Sequence, residues 1–186
     1  DFGHWRKMKI FRQLGITVYQ RQLYRFAPKS VDSCFFTASG DMLFSRAGEM
    51  SSQEEAQQFI TDNDVTFAVA FGPVMVDNGQ LAEFGSYPIG ENNRTYSRTA
   101  IGQRDKLHYI LMTINYEDDH SVAATVSEAA EYIFSKGVVK AYALDGGQTS
   151  TMVMNGHTVN RPDWGNQRTQ SDIIYFATAL PEEVNP

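Results

Sequence analysis

A strand-like segment that ends in an acidic, glycine-rich turn constrains this sequence more than any other feature. Residues 138–144 are apolar and β-prone, which is typical of a strand buried in a sheet. An Asp-Gly-Gly turn follows at 145–147, and glycine lets the backbone turn sharply and approach a ligand closely. The chain then reaches Asn-Gly at 155–156, a strong hairpin signal. The sequence therefore predicts that Asp145 lies where a central strand ends.

A purely structural turn is the alternative for this segment. Asp-Gly-Gly occurs in ordinary turns, and the hydroxyls of residues 149–151 could simply bond to the local backbone. A carboxylate, backbone N–H groups and three hydroxyls in one turn would equally suit a polar substrate. Taken alone, the turn leaves both roles open.

Several blocks in a fixed order extend the pattern around this turn. They are Phe-Gly-Pro-Val-Met-Val-Asp-Asn-Gly at 71–79, Tyr-Ser-Arg-Thr-Ala-Ile-Gly-Gln at 96–103, Leu-Asp-Gly-Gly-Gln-Thr-Ser-Thr at 144–151, Asn-Gly-His-Thr-Val-Asn at 155–160 and Arg-Thr-Gln-Ser-Asp at 168–172. In this order, the blocks resemble the phosphodiester glycosidase family. The resemblance covers about residues 64–180 well and the first 60 residues weakly.

Two departures from the family pattern stand out. Many members have a third glycine where this chain has Gln148, so the Gln148 amide rather than a bare backbone is expected to face the ligand. Members usually carry an Asn-Gly-rich strand and turn near the N-terminus, whereas this chain begins at Asp1-Phe2-Gly3. We therefore expect one domain over residues 1–186 whose native N-terminal segment, or another chain, completes the fold.

The resemblance implies hydrolysis of a sugar-1-phosphodiester or a related cell-envelope glycan. A phosphate monoester is a good leaving group, so such a substrate needs cations on the phosphate and a carboxylate at the anomeric carbon more than a strong general acid. Asp145 is the expected carboxylate, Arg98 the expected phosphate ligand, and Asp172 the candidate second carboxylate. The residues expected to bind substrate are Thr99, Gly146, Gly147, Gln148, Ser150, Thr151, Trp164 and Arg168.

Each assignment has a structural alternative. Arg98 could flank the sheet, Asp172 could cap a turn, and Trp164 could anchor its loop instead of stacking on a sugar. Asp163 also lies in a loop and is a weaker candidate for the second carboxylate. The rival function is a glycan-binding module without catalysis on the same fold. A second carboxylate roughly 5 to 10 Å from Asp145 would favour the enzyme.

Composition narrows the class of partners. The net charge of −6 argues against a nucleic-acid binder, and no apolar run is long enough to cross a membrane. The histidines show no metal-ligand spacing, and no metal or cofactor is expected. The expected partner is a carbohydrate or glycosyl-phosphate substrate. The family resemblance suggests a bacterial protein that is secreted or lies in the cell envelope, although no signal peptide is visible.

The pattern of elements predicts a single α+β domain, in which two helices pack on a mixed, twisted β-sheet. Helices are expected after a capping-box pattern at 51–55 and over about 126–136. Pro73 should bend a strand within 65–76 or place it at a sheet edge, and the last strand should span 173–177. No internal repeat is visible in the sequence.

Overall fold

The computed structural model describes residues 14–85, 87–88, 91–116, 123–170 and 172–177. Ten strands form two five-stranded sheets in this part of the chain. The first sheet has the order β2-β1-β5-β3-β4 and contains β1 (Gly15–Tyr19), β2 (Gln22–Ala27), β3 (Ser33–Thr37), β4 (Met42–Ser45) and β5 (Val65–Ala70). The second has the order β7-β6-β10-β8-β9 and contains β6 (Val74–Asp77), β7 (Gln80–Leu81), β8 (Arg98–Asp105), β9 (His108–Ile114) and β10 (Lys140–Leu144).

The remaining elements are two α-helices, one short hairpin and two single-turn 3₁₀ helices, at Gly147–Thr149 and Asp163–Gly165. Helix α1 spans Gln53–Asp62, helix α2 spans Val126–Phe134, and the hairpin joins β11 (Val153–Met154) to β12 (His157–Thr158). Ser52 caps α1, and Thr125 and Glu128 form a complete capping box on α2, as the sequence pattern indicates. The predicted α+β class with two helices is confirmed, and the strands divide between two sheets.

The two sheets repeat one topology. Each consists of two hairpins, then a helix, then a strand that inserts between the hairpins. Strands β1–β5 with α1 therefore correspond to β6–β10 with α2. The repeat is one of strand order and is not visible as repeated residues, so sequence analysis alone did not find it.

The sheets and helices form four layers. The buried face of α1, with Ala56 and Ile60, packs on the outer face of the first sheet. The buried face of α2, with Ala129 and Ile133, packs on the outer face of the second. A third apolar cluster fills the space between the sheets and includes Cys34, Phe36, Met42, Val69, Val74, Ile101 and Tyr142.

The chain crosses from one sheet to the other at Gly72-Pro73. Pro73 bends the chain, as predicted, but neither flanking strand becomes an outer strand of its sheet, because β5 is central and β6 pairs with β7 and β10. The crossing lies against the end of β10, where Gly72 N donates to Ala143 O over 3.1 Å and Ala143 N donates to Pro73 O over 3.0 Å. The two repeated units thus meet beside β10, the strand that Asp145 directly follows.

The predicted last strand is wrong. Residues 172–177 have no regular structure, and they pack through side chains instead of pairing with a strand. Ile174 joins the cluster between the sheets, and the ring of Phe176 lies 5.4 Å from that of Tyr109. A short β-prone run becomes a strand only if it finds a partner backbone, which its composition cannot reveal.

Candidate active site

Asp145 directly follows β10, and both of its carboxylate oxygens accept hydrogen bonds. Leu144, the last residue of β10, pairs with Thr99 of β8. Oδ1 of Asp145 accepts from the backbone N–H of Gly146 over 2.9 Å, and Oδ2 accepts from Nη2 of Arg168 over 2.7 Å. The two side chains are 15% and 18% exposed, so the ion pair is largely, but not fully, shielded from solvent. The carboxylate is therefore held in one orientation at the end of β10.

The two glycines that follow fit tightly against the start of β8. A Cβ on Gly146 would lie 2.5 Å from Ser97 O, closer than any side chain tolerates. Gly147 adopts a φ of +64° and donates its N–H to the same Ser97 carbonyl over 2.9 Å. Both positions therefore require glycine. Gly146 lies too close to Ser97 for a side chain, and Gly147 adopts a left-handed backbone conformation.

The hydroxyl residues after the glycines divide into two groups. Ser150 Oγ donates to Arg98 O over 3.0 Å, and Thr149 Oγ1 donates to Gly146 O over 2.8 Å, so these two hydroxyls stabilise the turn. The buried hydroxyl oxygens of Thr99 and Thr151 have no hydrogen-bond partner within the described residues. A buried hydroxyl is stabilised by a partner, and these two are therefore suited to bind a polar ligand.

The Arg98 guanidinium is buried and points toward a loop. Its Nε donates to Ala124 O over 2.9 Å, and its Nη2 donates to the carbonyl oxygens of Glu91 and Arg94. Burial lowers the pKa of Arg98, and the charge of Asp163 opposes this shift. These contacts tie residues 91–94 to the start of β8, while the Arg98 backbone lies beside the turn through Ser150. The backbone of Arg98 therefore adjoins the site, whereas the guanidinium hydrogen bonds that the structure describes go to backbone carbonyls of the loop.

A loop over residues 161–170 lies on the turn. Arg168 N donates to Gln148 O over 3.3 Å, and Gln170 Nε2 donates to Thr149 O over 3.2 Å. These bonds bring Arg168 to Asp145. Trp164 in the same loop is 61% exposed, and its ring lies 6.2 Å from that of Tyr116, so the indole is available at the surface.

Asp163 is a buried carboxylate that sequence analysis ranked below Asp172. It is fully buried, and its Oδ1 accepts from Ser97 N over 2.9 Å. Its Oδ2 lies 3.4 Å from the position of a Cβ on Gly147 and accepts no hydrogen bond from the described residues. Asp163 therefore lies directly against the diglycine turn. In the sequence, Asp163 follows Asn-Arg-Pro at 160–162 and so lies in a polar loop. A polar loop does not by itself indicate that one of its carboxylates is buried, which is why the sequence did not single out Asp163.

Asp172 interacts electrostatically with the first sheet. Burial lowers the pKa of Arg25 in β2, and the nearby charge of Asp172 opposes this shift. The charge of Asp172 thus acts on Arg25 of the first sheet, whereas a hydrogen bond and a close approach associate Asp163 with the turn. Within the described residues, no group of three or more His, Cys, Asp or Glu side chains could hold a metal ion. No described helix is long and apolar enough to cross a membrane.

Comparison with known proteins identifies the family of this chain. The phosphodiester glycosidase family model matches residues 6–177. The SPβ prophage-derived uncharacterized protein YomE of Bacillus subtilis (strain 168) is 23% identical over 164 residues, which are 87% of this chain and 25% of that protein. The chain thus spans about a quarter of the length of this curated relative.

Two solved structures are also similar. The zebrafish N-acetylglucosamine-1-phosphodiester α-N-acetylglucosaminidase catalytic domain, auto-inhibited by its pro-peptide, matches with a TM-score of 0.61 and 19% identity over 80% of this chain and 50% of that one. A hypothetical protein from Synechocystis matches with a TM-score of 0.47 and 16% identity over 76% of this chain and 33% of that one. The first match shows a common fold, and the family model covers most of the sequence. The chain belongs to the phosphodiester glycosidase family.

Proposed function

We propose that this protein hydrolyses the glycosidic bond of a sugar-1-phosphodiester or a related cell-envelope glycan, with Asp145 as the catalytic carboxylate. The observation that carries the proposal is the ion pair between Asp145 and Arg168 at the end of β10, in a chain of the phosphodiester glycosidase family. A glycosyl phosphodiester has an electrophilic carbon next to an anionic group. A carboxylate complements the electrophilic carbon, and an adjacent guanidinium complements the anionic group.

Arg168 is the proposed phosphate ligand. A planar guanidinium binds phosphate oxygens bidentately, and this one already forms an ion pair with Asp145. When a substrate phosphate takes donors from Arg168, Oδ2 of Asp145 is released for one of two roles. It either attacks the anomeric carbon to form a glycosyl ester that water then hydrolyses, or it accepts a proton from the water that itself attacks this carbon. The C1–O bond breaks, and its electron pair leaves with the phosphate monoester, which is a weak base.

The neighbouring residues have supporting roles in this proposal. Gly146 and Gly147 shape the turn against Ser97 and Asp163, and the Gln148 amide and the Thr99 and Thr151 hydroxyls are the proposed polar contacts beside it. Trp164 offers an exposed ring for a sugar. Ser150 holds the turn.

Two further assignments belong to the same proposal. Arg98 is proposed to act indirectly. Its described donors bind loop carbonyls, and these bonds hold the start of β8 in place beside the substrate phosphate. Asp172 and Asp163 are the two candidates for a second carboxylate, and Asp163 is favoured by its contact with the turn. An extracellular or cell-envelope location is also part of the proposal, since such glycans occur there.

Hydrolysis of a synthetic sugar-1-phosphodiester in ¹⁸O-labelled water tests the reaction directly. Cleavage of the glycosidic bond places the label on C1 of the free sugar, because the phosphate leaves with its own oxygen. Label in the phosphate would instead show attack at phosphorus and contradict the proposal. The Asp145→Asn variant is the matched control for the source of the activity.

A glycan-binding module without catalysis is the second candidate. The observation that favours it is the exposed indole of Trp164 beside Tyr116, an aromatic surface suited to stacking on a sugar. Binding of the phosphodiester by the wild-type protein, without release of sugar, would establish this function and exclude the first.

A further inference from the structure

A groove on the outer face of the second sheet runs beside the C-terminal half of α2. Helix α2 packs on β6, β8 and β10, and β9 is the outer strand of this sheet, so part of the β9 face remains uncovered. The resulting groove has a volume of about 810 Å³, and Ile110 and Met112, which belong to the cluster beneath α2, line it together with polar residues.

The groove is cationic in a protein of net charge −6. Arg104 and Lys136 line it, and none of its described lining residues carries a carboxylate. The register of β8 with β9 is irregular between Gln103 and Asp105, and such a bulge redirects the side chain of the residue between them, Arg104. Its Nη2 lies 3.4 Å from the position of a Cβ on Gly137. Both the bulge and this glycine make room for the guanidinium.

The second cation is also held in place. Lys136 Nζ lies 4.3 Å from the centre of the Tyr132 ring, a cation–π contact that keeps the ammonium group at the groove. Tyr132 itself is 54% exposed and lines the same groove. The groove therefore presents two cations and an aromatic ring, which suits an anionic chain with apolar or sugar units.

The groove extends toward the site of Asp145. Thr113, at one end, pairs with Thr99, which in turn pairs with Leu144. Thr113 is thus two strands from Leu144, or about 10 Å at the usual strand spacing. Met152, which also lines the groove, follows Thr151 of the turn. A substrate bound at Asp145 can therefore extend along β9 toward the cations.

We propose that this groove binds the aglycone of the substrate, and that the aglycone carries at least one anionic group beyond the scissile phosphodiester. The inference rests on the proposed function and deepens it by naming the substrate class: a sugar-1-phosphate joined to an anionic chain. The cations at the far end select for that chain, while a short neutral aglycone does not reach them.

Two substrates with the same sugar-1-phosphodiester separate these roles. One has a methyl aglycone, and the other has an oligo(glycerol phosphate) aglycone. The double variant Arg104→Gln/Lys136→Gln should raise KM for the oligomeric substrate about tenfold and leave kcat/KM for the methyl substrate within about twofold. Lys106→Gln removes one exposed cation from the adjacent β8–β9 turn, outside the groove. This control should change neither KM for the oligomeric substrate nor kcat/KM for the methyl substrate.

The groove proposal fails if the double variant affects both substrates equally, or if it matches Lys106→Gln. If the wild-type protein cleaves neither substrate, the proposed function fails, and the groove is still tested by calorimetric binding of free oligo(glycerol phosphate). Binding that is about tenfold weaker in the double variant supports the anionic-chain groove. Equal binding, or none to the wild-type protein, overturns it.

Discussion

Arg168 Nη2 and Asp145 Oδ2 are 2.7 Å apart, although 23 positions separate the two residues in sequence. The loop over residues 161–170 makes this contact possible, because its backbone is bonded to the turn at Gln148. The guanidinium orients the carboxylate in the free protein, and the same guanidinium is placed to bind an anionic substrate. One ion pair thus accounts for both the order of the site and its expected affinity for phosphate.

Substitution of Arg168 should impair phosphodiester binding and turnover together. Arg168→Ala removes the phosphate ligand and leaves Asp145 with one hydrogen bond fewer, so kcat/KM should fall by at least about 100-fold. Arg168→Lys should recover only part of this loss, because an ammonium group cannot bind two phosphate oxygens in a plane. Steady-state kinetics with a sugar-1-phosphodiester measures both effects.

Arg21 provides the matched control for this experiment. It forms a similar 2.8 Å ion pair with Asp64, but the two side chains are 58% and 59% exposed. Arg21→Ala should leave kcat/KM unchanged and have little effect on stability, because an exposed ion pair contributes little. An Arg168→Ala enzyme as active as Arg21→Ala would contradict the phosphate role.

Gly146 should not tolerate a side chain. In Gly146→Ala, the new Cβ would lie 2.5 Å from Ser97 O, so the turn must move away from β8. We expect a loss of about 1 to 3 kcal/mol in unfolding free energy, because the methyl group overpacks a tight contact. Chemical denaturation measures this change.

Gly85 is the control for that substitution. Among the described residues, apart from its chain neighbours, no atom lies within 4 Å of a Cβ built on Gly85, and its φ is not in the left-handed region. Gly85→Ala should therefore change stability by less than about 0.5 kcal/mol. If Gly146→Ala is as stable as Gly85→Ala, the turn adapts to a side chain, and the prediction from the close contact with Ser97 is wrong.

Asp163→Asn tests whether the buried carboxylate supports the site. The amide oxygen can still accept from Ser97 N, but the charge near Arg98 is lost. We expect a loss of about 1 to 3 kcal/mol in stability and a fall in kcat, since both Arg98 and the diglycine turn contact this region.

Asp62→Asn serves as its control, because Asp62 is an exposed carboxylate at the end of α1, remote in sequence from the turn. This variant should be as stable as the wild-type protein within about 0.5 kcal/mol. If Asp163→Asn behaves in the same way and keeps full activity, Asp163 has no part in the site.

Local patterns of residues predicted the elements that carry the site. The β-prone run at 138–144 contains β10 (Lys140–Leu144), and Asn-Gly at 155–156 lies in the β11–β12 hairpin. The capping signals before α1 and α2 are also present in the structure. These features depend on hydrogen bonds and periodicity within about ten residues, so the sequence expresses them directly.

Contacts between distant segments could not be predicted in this way. The division into two sheets depends on which strands pair, and the partners of Arg98 and the burial of Asp163 depend on how loops 91–94 and 161–170 fold. The resemblance to a family singled out Arg98 and Asp145 together. The structure shows that the Arg98 backbone lies beside the turn, with its guanidinium directed to loop carbonyls.

Asp145→Asn tests the central claim most directly, with kcat and the thermal midpoint measured on one sample. The substitution keeps the shape of the side chain and its ability to accept from Gly146 N, but removes the negative charge. If Asp145 is the nucleophile or base, kcat should fall by about 1,000-fold or more while the protein stays folded, because the charge acts in the transition state. A variant that is destabilised by about 1 to 3 kcal/mol, yet turns over substrate as fast as the wild-type protein, would show that Asp145 only stabilises the turn.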